Sequence, residues 1–254
     1  MNRFFGGKNE RREIEAVDMP IEEPTPGEKT YDISFDELRT GFTAAVSHEL
    51  RTPLARILVL LESTDLPGAD VPKLLEQARA EVEHADALIE EILFLSELES
   101  GKEVVALGHT NALPVLERVV SDLAGAAERA GVTLTAVGES DVYVPLRPRM
   151  LGIVARNLTE NAIRYAGHGA TFTVSVHRED GHVVLDASDN GVGVAETELP
   201  RLFERFWRAE ESRTSRGTGL GLAIVKHIIS AAEGTIEAHG DRGHGLHVRC
   251  VFPA

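Results

Sequence analysis

Ser47-His48-Glu49-Leu50-Arg51-Thr52-Pro53-Leu54 lies inside a longer pattern in which Phe35, Leu38, Phe42, Ala45, Leu50, Leu54, Ile57, Leu58 and Leu61 recur mostly at three- and four-residue steps. That period is the mark of an amphipathic helix. Pro53 falls within it, removing one backbone donor, and is expected to bend the axis. Leu66, Pro67, Gly68 and Pro72 then read as a turn. Beyond them Leu75, Ala78, Val82, Ala85, Leu88 or Ile89, Ile92 and Leu95 repeat in steps averaging about 3.5, a seam suited to bundle packing. Two long helices joined by a short loop make a hairpin. Two such helices cannot enclose their apolar stripes alone, so a second surface is required. A symmetric dimer forming a four-helix bundle is the simplest solution, and docking on the C-terminal half of the same chain is the alternative.

Outward from the hairpin the texture changes on both sides. The chain has 254 residues and a formal charge of −15, with 5 bases and 7 acids in residues 1–30, 5 and 15 in 31–100, and 16 and 19 in 101–254. The acidity is therefore concentrated in the hairpin. Glu13 to Glu28 holds six acids, no bases and three prolines, and residues 1–30 read as a flexible arm. Residues 31–102 are assigned to the hairpin and 103–254 to a second domain. In that domain Val115–Ala130, Arg149–Tyr165 and Leu220–Ala232 read as helices, the first ended by Gly131. Strands are expected at Val132–Val137, Val142–Leu146, Phe172–Val176, Val183–Ala187, Thr235–Ala238 and Leu246–Phe252, with a hairpin turned at Asp180 and Gly181. The fold class is α+β: a helical hairpin followed by an α/β sandwich with helices on one face of a mixed sheet.

Composition excludes several classes. At 43% hydrophobic and 26% charged the chain is able to bury a core. No apolar run approaches the roughly 18 residues of a membrane span, and no secretory signal is evident. The single cysteine, Cys250, allows no intramolecular disulfide or multi-cysteine metal site, and a reducing, cytoplasmic compartment is expected. The net charge argues against direct nucleic-acid binding. Of the ten histidines, nine show no ligand pattern, and a surface or strand role is expected for them.

The chemistry-bearing residues fall in four blocks. His48 sits among apolar neighbours beside a carboxylate; a neutral imidazole is a competent nucleophile near pH 7, and Glu49 can accept or orient its proton. Taken alone, a histidine on a helix is commonly structural or solvated. Asn157 and Asn161, four residues apart in Asn157-Leu158-Thr159-Glu160-Asn161-Ala162-Ile163-Arg164-Tyr165, share a helix face, and neutral amide oxygens can ligate Mg²⁺. Asp189-Asn190-Gly191-Val192-Gly193-Val194 follows a strand and by itself reads as a turn. Gly217-Thr218-Gly219-Leu220-Gly221-Leu222 leads into a helix whose exposed amides can receive phosphate. It is neither a dinucleotide fingerprint nor a Walker loop. Between the glycine blocks, Arg201 to Arg216 carries five arginines against three glutamates and reads as a lid, with Phe203 and Phe206 anchoring its base and an arginine such as Arg205 facing a triphosphate.

The octapeptide at 47–54 resembles the phosphoacceptor box of sensor histidine kinases, and the other blocks resemble that family's N box, first glycine box, F box and second glycine box, in its order. The resemblance covers roughly residues 33–254. It implies a dimerisation and phosphotransfer hairpin followed by a Bergerat-type ATP-binding domain, with ATP and Mg²⁺ as cofactors. It implies that His48 takes the γ-phosphoryl group and passes it to an aspartate of a response-regulator receiver domain, and that Thr52 positions water for dephosphorylating that partner. By the same resemblance Asn161 is the magnesium ligand, Asn157 supports the phosphate end, and Tyr165 lies near the adenine. Arg164, where many relatives have lysine, contacts phosphate. Asp189 accepts from the adenine amino group, Gly191 and Gly193 let the backbone approach the base, and Gly217, Thr218, Gly219, Leu220 and Gly221 form the phosphate-facing loop. The front end departs from the family's usual layout, being too short for a sensory domain; input is expected through a partner, or the chain is a portion or shortened relative of a membrane sensor. Transfer within or between subunits depends on the handedness of the loop around 63–71. A serine kinase built on the same ATP fold and a silent dimeric scaffold are the rival readings, opposed by the octapeptide and by the intact nucleotide-site blocks respectively.

Overall fold

The computed structural model of the protein describes residues 35–100, 108–209 and 217–253, and in the first helix the side chains from Ala44 onward. The arm at 1–30, the boundary at 102–103 and the 210–216 part of the expected lid lie outside the described residues.

Helix α1 (Phe35–Glu62) runs through Pro53, which is buried. The Ser63 and Thr64 hydroxyls donate to the carbonyls of Val59 and Leu61, both at 2.6 Å, satisfying acceptors that the helix end leaves open. A short 3₁₀ turn (Ser63–Asp65) follows, and α2 (Val71–Glu99) starts where the Asp70 carboxylate accepts the Lys73 N–H at 3.3 Å. Pro72, expected in the turn, lies instead in the first turn of α2. Its missing N–H is no loss there, because that donor has no helical acceptor.

The two faces of α2 have different fates. Leu88, Leu95 and Leu98 are buried in one apolar cluster with the C-terminal domain, whereas Val82, Ile89 and Leu93 stay exposed, as do Leu54, Leu58 and Leu61 on α1. The ambiguity between Leu88 and Ile89 is thereby resolved: Leu88 is 1% exposed and Ile89 42%. The hairpin does dock on its own chain, yet an apolar stripe remains uncovered along both helices.

The second domain contains β1 (Thr110–Asn111), α3 (Ala112–Ala130), β2 (Thr133–Gly138), β3 (Tyr143–Val144), α4 (Pro148–Tyr165), β4 (Thr171–Glu179), β5 (His182–Asp189), a 3₁₀ turn (Glu196–Arg201), α5 (Gly221–Ala231), β6 (Thr235–Gly240) and β7 (Leu246–Phe252). The main sheet has the order β2-β4-β5-β7-β6; β2 pairs parallel to β4 and the rest are antiparallel. β1 and β3 form a separate two-stranded ribbon. Alternation along the strands sends Phe172, Val174, Val176, Leu185, Ala187, Val248, Cys250 and Phe252 into the core beneath α3, α4 and α5. Helix α3 meets them with Val115, Leu116, Val119, Leu123 and Ala127, a stripe at helical period.

The opposite face of the sheet carries a polar cluster beside the buried Val184. Asp186 accepts from His247 at 2.7 Å and from Arg249 at 3.4 Å, and Arg249 also donates to Glu179 at 2.5 Å. Among the described residues no helix is long and apolar enough to cross a membrane.

Candidate functional site

A cavity of about 320 Å³ opens between α4, α5, the end of β5 and the middle of α2. Helix α4 sends Asn157, Asn161, Arg164 and Tyr165 into its wall, as expected of residues spaced by one and two turns. The Asn157 side-chain nitrogen donates to the Ile153 carbonyl at 2.9 Å. Its Oδ1 lies against Gly221, where a Cβ would fall 2.5 Å from it, so the amide oxygen is held at the start of α5. Asn161 adds a second neutral oxygen one turn on, and Glu160 a carboxylate. Hard oxygen donors of this kind suit Mg²⁺, which keeps waters and phosphate oxygens in its remaining positions.

β5 ends at Asp189, whose carboxylate accepts the Gly191 N–H at 2.9 Å. Burial pushes the Asp189 carboxyl up from its ordinary value, and hydrogen bonds from the Gly191 and Leu246 backbone partly offset this. Gly193 has φ +67° and lies against the Asp241 carbonyl, so the backbone runs where a side chain would not fit. The second glycine block completes the wall: Gly217, Thr218, Gly219 and Gly221 all line the cavity. The Leu220 N–H donates to Thr218 Oγ1 at 3.3 Å, tying the loop to the N-terminal end of α5.

Glu91 of α2 reaches into the same cavity, and Thr218 Oγ1 donates to it at 2.5 Å. Desolvation raises its carboxyl above the ordinary value; the Thr218 hydrogen bond and the Arg164 charge oppose the rise, and Glu160 adds to it. Arg164 is also held at 3.0 Å by Glu160.

A second cavity, of about 860 Å³, separates α1 and α2 from the base of the expected lid. His48, Glu49 and Thr52 line it from α1, and Arg201, Arg205, Arg208 and Arg242 from the other side. The His48 side chain is 77% exposed, with Nδ1 3.7 Å from Glu49 Oε1. The Thr52 hydroxyl donates back to the His48 carbonyl at 3.3 Å, one turn away. Trp207, Arg208 and Gly217 belong to both cavities.

The structure thus gathers Asn157, Asn161, Arg164, Tyr165, Asp189, Gly193, Gly217, Thr218, Gly219 and Gly221 around one space. Gly191 and Leu220 support that wall without lining it: Gly191 packs on the Ala166 carbonyl, and Leu220 is fully buried. Arg205, expected to face a triphosphate, lines the His48 cavity and pairs with Glu99 of α2. Phe203 and Phe206 pack against the core as expected. Glu91 was missed: nothing within α2 signals a contact that exists only once the two domains meet.

Two family models match the chain. The His Kinase A (phospho-acceptor) domain covers residues 38–101, and the histidine kinase-, DNA gyrase B- and HSP90-like ATPase domain covers 147–254. The chain belongs to the sensor histidine kinase family. Among its relatives, the sensor-like histidine kinase SenX3 of Mycolicibacterium smegmatis is 32% identical over 213 residues, spanning 82% of this chain and 55% of SenX3. The chain therefore spans about half the length of the named relatives it matches. Among solved structures, the Acinetobacter baumannii histidine kinase AdeS superposes with a TM-score of 0.67 at 25% identity, over 81% of this chain and 97% of AdeS. Full-length ShkA in complex with AMPPNP superposes with a TM-score of 0.61 at 25% identity, over 83% of this chain and 45% of ShkA. The first family model contains His48, and the second contains every residue that lines the first cavity except Glu91.

Proposed function

We propose that this chain is an ATP-dependent protein histidine autokinase that phosphorylates His48 and passes the phosphoryl group to an aspartate of a response-regulator receiver domain. The observation that carries the reading is His48, with Glu49 beside it, on an exposed helix face across a cleft from a domain with its own nucleotide-type cavity. ShkA, which superposes over 83% of this chain, was captured in complex with AMPPNP, and this supports ATP as the donor.

The residues divide the work as follows. Asp189 accepts a hydrogen bond from the adenine amino group, Tyr165 lies beside the base, and the 217–221 loop with Arg164 receives the phosphates. Asn161, with Asn157 behind it, would hold Mg²⁺, whose positive charge would shield the triphosphate. Glu49 holds the proton on His48 Nδ1, so that the lone pair is on Nε2, and accepts that proton as Nε2 bonds to phosphorus. Nε2 then forms a bond to the γ-phosphorus as the bond to the bridging oxygen breaks, and ADP carries away that electron pair. Positioning supplies most of the rate in such a transfer. His48 lines the second cavity and most of the nucleotide residues the first, with Gly217 in both, so the domain would shift on α2 to bring the γ-phosphate to His48. The exposed apolar stripe on α1 and α2 fits a second copy, giving a homodimeric four-helix bundle. Thr52, one turn from His48, positions water for the reverse reaction on the phosphorylated partner.

The test is incubation with γ-labelled ATP and Mg²⁺ beside His48→Gln. The expected label is acid-labile, alkali-stable and absent from the variant. A label that survives acid, or that persists in His48→Gln, refutes the reading. Thr52→Ala is expected to abolish dephosphorylation of the partner while self-labelling persists.

A further inference from the structure

The hairpin and the nucleotide cavity are joined at a charged contact. Leu88, Leu95 and Leu98 bury one face of α2 against the C-terminal domain, Glu99 pairs with Arg205, and the Arg149 guanidinium lies 5.8 Å from the centre of the Phe94 ring. This packing carries Glu91 into the mouth of the cavity. There the carboxylate takes the Thr218 hydroxyl at 2.5 Å, in the glycine loop at the N-terminal end of α5, and faces the Arg164 charge. Thr218 and Arg164 are the groups to which the proposed function assigns the phosphates. A carboxylate and a phosphate are both oxyanions, and they seek the same donors at the positive end of a helix.

We propose that Glu91 is a built-in competitor for the nucleotide phosphates, so that hairpin docking on α5 and occupation of the phosphate site exclude each other. This inference rests on the reading of the cavity as an ATP site. One further observation supports it beyond the hydrogen bond. Glu160 also lines the cavity, so a triphosphate entering the docked form meets two carboxylates while Arg164 is already engaged by Glu160 at 3.0 Å. Linkage makes the effect reciprocal: whatever docking costs phosphate binding, phosphate binding costs docking. ATP would then release the domain from α2, freeing it to shift toward His48.

The test compares ATP, ADP and adenosine binding by calorimetry on the full chain, for the wild type, Glu91→Ala, Glu91→Gln and Glu90→Ala. Glu90 is the exposed neighbour on the same helix and controls for loss of a negative charge. Glu91→Ala should bind ATP and ADP more tightly by roughly 5- to 150-fold, the ordinary range of coupling between two sites. Adenosine, which lacks phosphates, should bind all four proteins alike. Glu91→Gln, which keeps a hydrogen-bond acceptor without the charge, should fall between wild type and Glu91→Ala. Hydrogen exchange in residues 86–99 of the wild type should rise with ATP and not with adenosine. Equal ATP affinities across the series overturn the proposal while leaving the ATP site intact. A parallel gain for adenosine overturns it too, because it would reflect a general loosening. Failure of every protein to bind any of the three ligands overturns both the proposal and the ATP-site reading beneath it.

Discussion

Alanine at Gly193 separates the demands of the backbone from the demands of contact. Gly193 has φ +67°, where an L-side chain costs about 1–2 kcal/mol. Its Cβ would also overlap the Asp241 carbonyl oxygen, 2.9 Å from the Asp241 carbonyl carbon and 3.0 Å from the Gly245 carbonyl oxygen. The neighbouring loop cannot retreat freely, because the Gly243 N–H donates to the Val192 carbonyl at 2.8 Å and Leu246 forms part of the cavity wall. Overpacking of this kind costs about 1–3 kcal/mol, so the total is about 2–5 kcal/mol. For a domain of this size each kcal/mol moves Tm by roughly 2–4 °C, giving a fall of roughly 4–20 °C. Gly169 is the control: φ is +85° and nothing lies within 4 Å of its would-be Cβ, so Gly169→Ala meets only the backbone cost and should lose roughly 2–8 °C. Thermal unfolding of both variants, with ATP affinity measured beside it, is the assay. If Gly193→Ala unfolds no earlier than Gly169→Ala, the contact argument is wrong. If it unfolds earlier yet binds ATP as the wild type does, Gly193 has no place in the nucleotide wall.

Three further outcomes are expected. Asp189 titrates above its ordinary 3.8, so between that value and its raised one the folded protein keeps a proton that the unfolded chain has lost. Its contribution to stability therefore falls as pH rises through this window, whereas ATP affinity, which needs the ionised acceptor, falls as pH drops through it. An Asp189→Asn variant whose ATP-affinity profile keeps that same step would contradict the assignment. Burial pushes the Cys250 thiol up to about 12, so iodoacetamide at pH 8 should leave the native protein unmodified and label it only on unfolding; rapid labelling of the folded protein would refute this. On the uncovered stripe, Leu58 is 61% exposed and Val82 53%, and Leu58→Glu with Val82→Glu should convert a dimer to a monomer in sedimentation. An unaltered sedimentation coefficient would place the dimer surface elsewhere.

Local pattern was enough wherever an element makes its own boundary. The Asp180-Gly181 turn, the end of α3 at Gly131 and the face shared by Asn157 and Asn161 were all legible, because turn chemistry and helical period act over a few residues. The ribbon strand Thr110–Asn111 was not, since two residues carry no periodicity and it is held by Tyr143 and Val144 more than thirty positions away. Pro72 was misplaced because a proline marks a turn and a first helical turn with the same residue. Arg205 and Glu91 show the larger limit. Each has chemistry suited to a nucleotide site, but the docking of α2 on the second domain decides which cavity it enters, and α2's own sequence is as consistent with Ile89 inward as with Leu88.

The polar side of the sheet offers an experimental handle. Ser175, Asp186, Arg249 and Glu237 form one row across β4, β5, β7 and β6, on the side away from the helices and both cavities. Glu237 is the exposed member of the row, and such a position tolerates replacement within about 0.5 kcal/mol. With the single native thiol sealed in the core, a cysteine introduced at Glu237 would take a fluorophore selectively, and a second on the exposed side of α2 would complete a donor–acceptor pair. The distance between the two dyes would then report, molecule by molecule, how often the domain leaves the hairpin and for how long.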